Sequence, residues 1–261
     1  LPKPQERYRA TVLTLFGYTK FKNKSMEQQN ISLRFNGNLE DCNLPKSKKQ
    51  DLFIGLIAGM RKGFFVNSLS TGINKDTLHE ILIGVTKPKQ ESTITETLKF
   101  LQTEGERTAY SILLPYLLSS NDKKEIEKIL RERFFGIELF VNRAHNIRKF
   151  LDYVHDKNIV SINENDLIRG ILSWDMGELI NLTRIAFEAG YINESTAWEH
   201  IKFAGEQCRT NYRNWEEIGK GYLIGQAMKG HSVNVFKSNM AYEDDLLISS
   251  HMPFLLSIFS L

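Results

Sequence analysis

Residues 173–200 read SWDMGELINLTRIAFEAGYINESTAWEH, and this stretch decides the fold class. Its apolar residues return every three or four positions, which is the spacing of one helix face. Gly190 stands where the pattern stops, and a glycine there supplies the left-handed residue that ends many helices. Asn193 is then placed to cap a second helix. On that helix Ala197, Ile201, Ala204 and Cys208 share one face, and their small size implies close packing against a neighbour.

An aspartate and an arginine interrupt the apolar pattern. Asp175 and Arg184 lie nine positions apart, so at roughly 100° per residue they point to opposite sides of a helix. They therefore cannot pair with each other, and an unpaired buried charge is too costly to keep. Arg107 and Arg213 are candidate partners for the acid, and Glu104, Glu106 or Glu216 for the base. Glu188 also stands one turn from Arg184. Two readings follow. In the favoured one these groups are polar clamps between helices. In the other they line a cleft that binds an anion or does acid–base work.

Working outward, helical signals fill the chain from residue 50. In DLFIGLIAGMRKGF, Gly55 and Gly59 lie on one face and leave room for another helix backbone. Asn74 can cap the next helix, and Pro88 marks a break. Thr93 with Glu96, Ser161 with Glu164, and Asn214 with Glu217 all have capping spacing. Gly105 is placed to split a long apolar pattern in two. From Asp122 a charged helix carries Ile126, Ile129, Leu130 and Phe134 as a stripe, with Glu127 and Arg131 paired on its wet side. The last apolar run, MPFLLSIFSL, needs to dock on the body.

The expected fold is thus mainly α, a single multi-helix globular domain of about eight or nine helices. It occupies residues 50–261 and follows a basic segment, residues 1–49. In that segment ATVLTLFGY and ISLRF could form a short β-hairpin, with NLPKSKK as a linker.

Composition excludes several classes. The 261 residues are 41% hydrophobic and 25% charged, as in ordinary globular proteins. No apolar run reaches the roughly 18 residues that a membrane span needs. Two cysteines, Cys42 and Cys208, are too few for a disulfide framework or a zinc site. Residues 1–50 hold ten Lys/Arg against four Asp/Glu, which gives +6 there and leaves −3 for the rest of a chain whose total is +3. A basic arm can touch nucleic acid, but a solvated terminus is the simpler reading.

The search for chemistry finds no phosphate loop, dinucleotide fingerprint, H-E-x-x-H, C-x-x-C or nucleophile elbow. None of the six histidines pairs with another at the helical spacing of metal ligands. Neither a metal nor a cofactor is expected. Trp174 and Trp198, with Cys208, are read as structural core. The segment RTNYRNW brings Tyr212, Arg213 and Trp215 together as a basic, aromatic edge able to stack on a ligand, although a surface connection, with Trp215 a core anchor like Trp198, is the simpler reading. The candidate ligand-binding set is therefore Arg107, Asp175, Arg184, Tyr212, Arg213 and Trp215, with no catalytic residue assigned.

One order of motifs carries a resemblance. It runs L-x-F-L-x-x-E-G-x-R (98–107), S-W-D (173–175), T-R-x-A-F-E-A-G-Y-I-x-E-x-x-A-W (183–198) and N-W-E-E-I-G-x-G-Y-x-I-G (214–225). This resembles the bacterial domain of unknown function 1266 family, with its YbeU/YbeR-type proteins. The resemblance covers roughly residues 50–261 and is most specific over residues 174–225. Glu106 stands where the family commonly has a histidine, and Gln226 and Met228 stand where an aromatic often follows. The resemblance implies a mostly helical, cytoplasmic bacterial domain and supplies no reaction.

With no catalytic constellation in view, the leading expectation is a protein-binding module without catalytic activity. The alternative is an effector-like or toxin-like enzyme of a new class, secreted or cytoplasmic. It would act on a phosphorylated or nucleotide ligand through an Asp/Arg cleft. The expected partner is a protein, with nucleic acid a lesser candidate and a membrane none.

Overall fold

A computed structural model describes residues 34–38, 43–86, 91–119, 122–134, 138–156 and 160–230. These residues are mainly helical, as the apolar spacing predicts. The helices are α1 (Lys46–Ile54), α2 (Leu56–Arg61), α3 (Lys75–Thr86), α4 (Glu91–Thr103), α5 (Arg107–Leu117) and α6 (Lys123–Arg133). They continue with α7 (Glu138–Asp156), α8 (Glu164–Arg169), α9 (Leu172–Glu188), α10 (Glu194–Asn211) and α11 (Trp215–Met228). Among the described residues the sheet-like feature is one parallel bridge between Arg34 and Phe65. The strand-like run at 10–18, most of that at 31–35, Cys42, the Pro88 break and the apolar run at 252–261 fall outside the described residues. No described helix is long and apolar enough to cross a membrane.

The chain divides into two compact units. One comprises residues 1–102 and 178–204, and the other residues 103–177 and 205–261.

In the first unit, α1 begins at Lys46, inside the stretch that reads as a linker, directly after the extended Pro45. Proline is tolerated there because the first amides of a helix have no partner within it. A turn at Gly55 separates α1 from α2. A Cβ on Gly55 would lie 2.8 Å from Ile180 Cγ2, and one on Gly59 would lie 3.0 Å from Asn181 Oδ1. The two glycines therefore admit another helix, as their spacing implied. Asn181 Nδ2 fixes the approach by donating to Gly55 O at 2.8 Å.

In the second unit, α7 packs on α5, α6 and α11, and α11 also packs on α8. Leu113, Leu130, Ile147 and Met176 are fully buried there. Gly225 of α11 makes room for Trp174, whose Cβ would stand 2.4 Å from an added Cβ. The indole also packs on Tyr222, with ring centroids 5.0 Å apart.

The caps show where the sequence signals were offset. Asn74, Asn193 and Asn214 accept from the amides of Thr77, Thr196 and Glu217, each at 2.9 Å. The capping box before α8 is Asn163 with Asp166, two residues past the Ser161 and Glu164 pair. Asparagine caps at least as well as serine, and Asp166 returns the bond to Asn163 N at 3.0 Å. Helix α4 begins at Glu91, so Thr93 and Glu96 lie inside it. On α6, Arg131 pairs with Glu138 rather than with Glu127, because the start of α7 comes within its reach.

Candidate functional site

The site grows from the break between α4 and α5. Gly105 has φ of +62°, a left-handed conformation that side-chain-bearing residues rarely adopt. This turn aims two successive amides at one point. Glu106 N donates to Asp175 Oδ1 at 2.8 Å, and Arg107 N donates to Oδ2 at 3.1 Å. Successive N–H groups in such a turn form a nest that favours an anion. Here the anion is the chain's own carboxylate. The residue before α5, Glu106, makes no side-chain cap, so Asp175 caps that helix from α9. Arg107 Nη1 adds a third donor to Oδ2 at 2.9 Å. A Cβ on Gly105 would fall 2.1 Å from Oδ2, so glycine is required for space as well as for φ.

Asp175 is fully enclosed, and burial pushes its carboxyl up to about 7, against the pull of Arg107 and the two amides. Glu106 is 3% exposed, between Arg143 Nη2 at 2.6 Å and Lys229 Nζ at 2.8 Å. Burial would raise its carboxyl, but Lys229 and Arg143 together hold it below the usual range. Two acids in one neighbourhood thus differ because one has two cations and the other has one.

The Arg107 side chain is 24% exposed and lines an open cleft of ≈ 480 Å³. Other lining residues include Thr108, Ser111 and Leu114 of α5, Ile168 and Arg169 at the end of α8, and Gln207 of α10. Ile168 is 54% exposed, although large and apolar. A second cleft of ≈ 490 Å³ runs past Leu117, Leu151, His155 and Leu167.

The family model described as protein of unknown function (DUF1266) matches residues 88–255. The chain belongs to this family. No curated protein and no solved structure matches it.

Within the matched DUF1266 residues, the E-G-x-R and S-W-D motifs meet at the Asp175 nest. The remaining candidates are placed differently. Tyr212 is 4% exposed; its hydroxyl accepts from Ser173 N at 2.9 Å and reaches Gly170 O at 3.5 Å. Its ring is enclosed, and burial pushes the phenol up to about 12. Arg213 is exposed, and its amide donates to Glu217 at 2.7 Å. Trp215 is half-buried at the start of α11. Arg184 belongs to the first unit, where it donates to three main-chain carbonyls: Phe65 at 2.6 Å, Ser70 at 2.8 Å and Leu69 at 3.3 Å. One turn on, Glu188 accepts from Thr71 N at 3.0 Å and from the hydroxyls of Ser70 and Thr71. Arg184 and Glu188 thus clamp one irregular loop of this DUF1266 chain.

Of the residues read as core, Trp174 and Cys208 are buried at 6% and 0% exposure. Trp198 is only half-buried. Its N–H donates to Glu194 at 3.1 Å, and Lys48 Nζ lies 4.1 Å from the ring centre. Its indole therefore sits at the surface with a polar edge and a cation over one face, which is why it is not a core anchor. Sequence reasoning did not single out Ile168, Leu114 or Gln207, which line the cleft. Among the described residues, no group of three or more His, Cys, Asp or Glu side chains is placed to hold a metal ion.

Proposed function

We propose that this DUF1266 chain is a binding module whose Arg107–Ile168 cleft takes a short polypeptide segment of a partner protein. The observation that carries this reading is the division of labour at Arg107. Behind it, Asp175 is sealed at 0% exposure and serves α5 as a cap. In front of it, an open cleft exposes Ile168 beside hydroxyl and amide side chains. A volume of ≈ 480 Å³ suits a few residues of extended chain. An apolar anchor with a polar rim is how protein surfaces commonly hold a partner. An enzyme acting on a phosphorylated or nucleotide ligand would need Asp175 to reach its substrate, and enclosure does not favour that role. A cytoplasmic setting fits the fully buried cysteine Cys208.

The test is a peptide-display selection against the purified full chain, repeated with Ile168→Asp. Because Ile168 is more than half exposed, this variant should keep the parent melting temperature. Selected peptides should carry an apolar residue and lose about tenfold in affinity for the variant. Peptides that bind both proteins equally, or no enrichment at all, would refute the assignment.

A further inference from the structure

We infer that the cleft selects a segment with a carboxylate beside an apolar side chain, the carboxylate being taken by Arg107, and that its binding draws a proton onto Asp175. This rests on the reading of the cleft as a peptide site. Among the described residues, two guanidinium groups, Arg107 and Arg169, line the cleft against one acid, Glu104. Both are oriented from behind by carboxylates. Arg107 is held by Asp175 at 2.9 Å, and Arg169 by Asp166 and Glu217, each at 2.9 Å. Their side chains are 24% and 21% exposed, and both line the cleft. A guanidinium fixed on one side is ready to take a carboxylate on another without losing further side-chain freedom. Leu114 and Ile168 supply the apolar wall next to it.

The proton follows from sharing. A ligand carboxylate on Arg107 would use the guanidinium that now offsets the charge on Asp175, and would add a like charge nearby. Both effects favour the neutral acid. Among the described residues, Arg107 is the cation that offsets the charge on Asp175. From the start of α5 come Arg107 and Glu106, and Glu106 already engages Arg143 of α7 and Lys229 beyond α11. From the end of α10 comes the un-ionised Tyr212. Burial already places the Asp175 carboxyl at about 7, so the group is poised to change state near neutral pH.

The probes are N-acetyl-leucyl-leucine and its C-terminal amide, titrated calorimetrically into the full chain at pH 7 in two buffers of different ionisation enthalpy. The acid should bind about tenfold more tightly than the amide. It should also take up about half a proton per site, the fraction that a group with pKa near the ambient pH has left to gain. Asp175→Asn should keep the preference for the acid and abolish the buffer dependence. Ile168→Asp should weaken both probes, which locates them in the cleft. Equal binding of acid and amide would overturn the carboxylate assignment while leaving the peptide site standing. A preference for the acid with no buffer dependence would overturn the coupling to Asp175. If neither probe binds but display-selected peptides do, the carboxylate assignment fails alone; if neither probes nor selected peptides bind, the peptide reading fails with it.

Discussion

Asp175→Asn separates the charge of the buried carboxyl from its shape. In the unfolded chain the carboxyl titrates near 3.8, whereas burial in the fold moves it to about 7. Between those values the folded protein binds more protons than the unfolded chain. Stability therefore falls as pH rises through this window and levels off above pH 7. Roughly three pKa units at about 1.4 kcal/mol each bound the loss at about 4 kcal/mol. Asparagine cannot ionise, so the variant lacks this slope. Its oxygen can still accept from Arg107 N and Nη1, but its NH₂ must then face Glu106 N, donor against donor. That conflict costs about 1–3 kcal/mol at every pH. The variant is thus expected to be the less stable protein at pH 5, and the gap should close or reverse by pH 8. Urea denaturation of both proteins at pH 5, 6, 7 and 8 measures the difference directly. Acids remote from the nest cancel in the comparison. Parallel curves over the whole range would show that Asp175 carries no proton that folding redistributes, and the account of the nest would fail.

Helical glycines normally gain about 0.5–1 kcal/mol when replaced by alanine. Gly225→Ala should instead lose 2 kcal/mol or more, about the cost of overpacking, because its Cβ would meet that of Trp174 at 2.4 Å. A thermal melt decides the sign. Asn163→Ala should cost about 1 kcal/mol and Ser161→Ala almost nothing, since Asn163 is the residue that caps α8; equal losses would restore the cap to Ser161. Glu188→Gln should leave global stability within about 2 kcal/mol of the parent yet speed amide exchange at Thr71, whose N–H it holds at 3.0 Å. Unchanged exchange at Thr71 would show that the clamp is not what orders the loop.

The helices were legible because their signals are local. Apolar spacing, Gly105, Gly190 and three asparagine caps each act within a few residues, and the structure uses all of them. The capping box of α8 was misplaced by two residues because Ser161 and Asn163 both have an acid three positions on, and sequence alone does not say which amide is left over. The partner of Asp175 was legible in part. Arg107 was among the candidates, but the two backbone amides that complete the nest depend on the φ of Gly105, and main-chain donors have no letter in a sequence. Arg184 shows the same limit more sharply. Candidate acids were sought for it, and it took three carbonyls of a loop more than a hundred residues earlier in the chain. The cleft was invisible for a different reason. Leu114, Ile168 and Gln207 belong to three helices with no shared motif, and only folding brings them to one surface.

Gly105, Arg107 and Asp175 form one contact set, and Ser173, Tyr212 and Gly221 form another, in which a Cβ on Gly221 would lie 2.7 Å from Ser173 Oγ and 2.8 Å from the Tyr212 hydroxyl. Ser173 Oγ in turn donates to Ile218 O at 2.8 Å. The residues of each set thus answer to one another, and helix packing accounts for their contacts. Arg107 is the exception, because it is the member of the first set that also faces the cleft. A side chain fixed by the architecture on one side and open to a ligand on the other is where a packing constraint and a binding function coincide. On the proposed reading, the guanidinium of Arg107, and not the enclosed carboxylate behind it, is the group that a ligand meets.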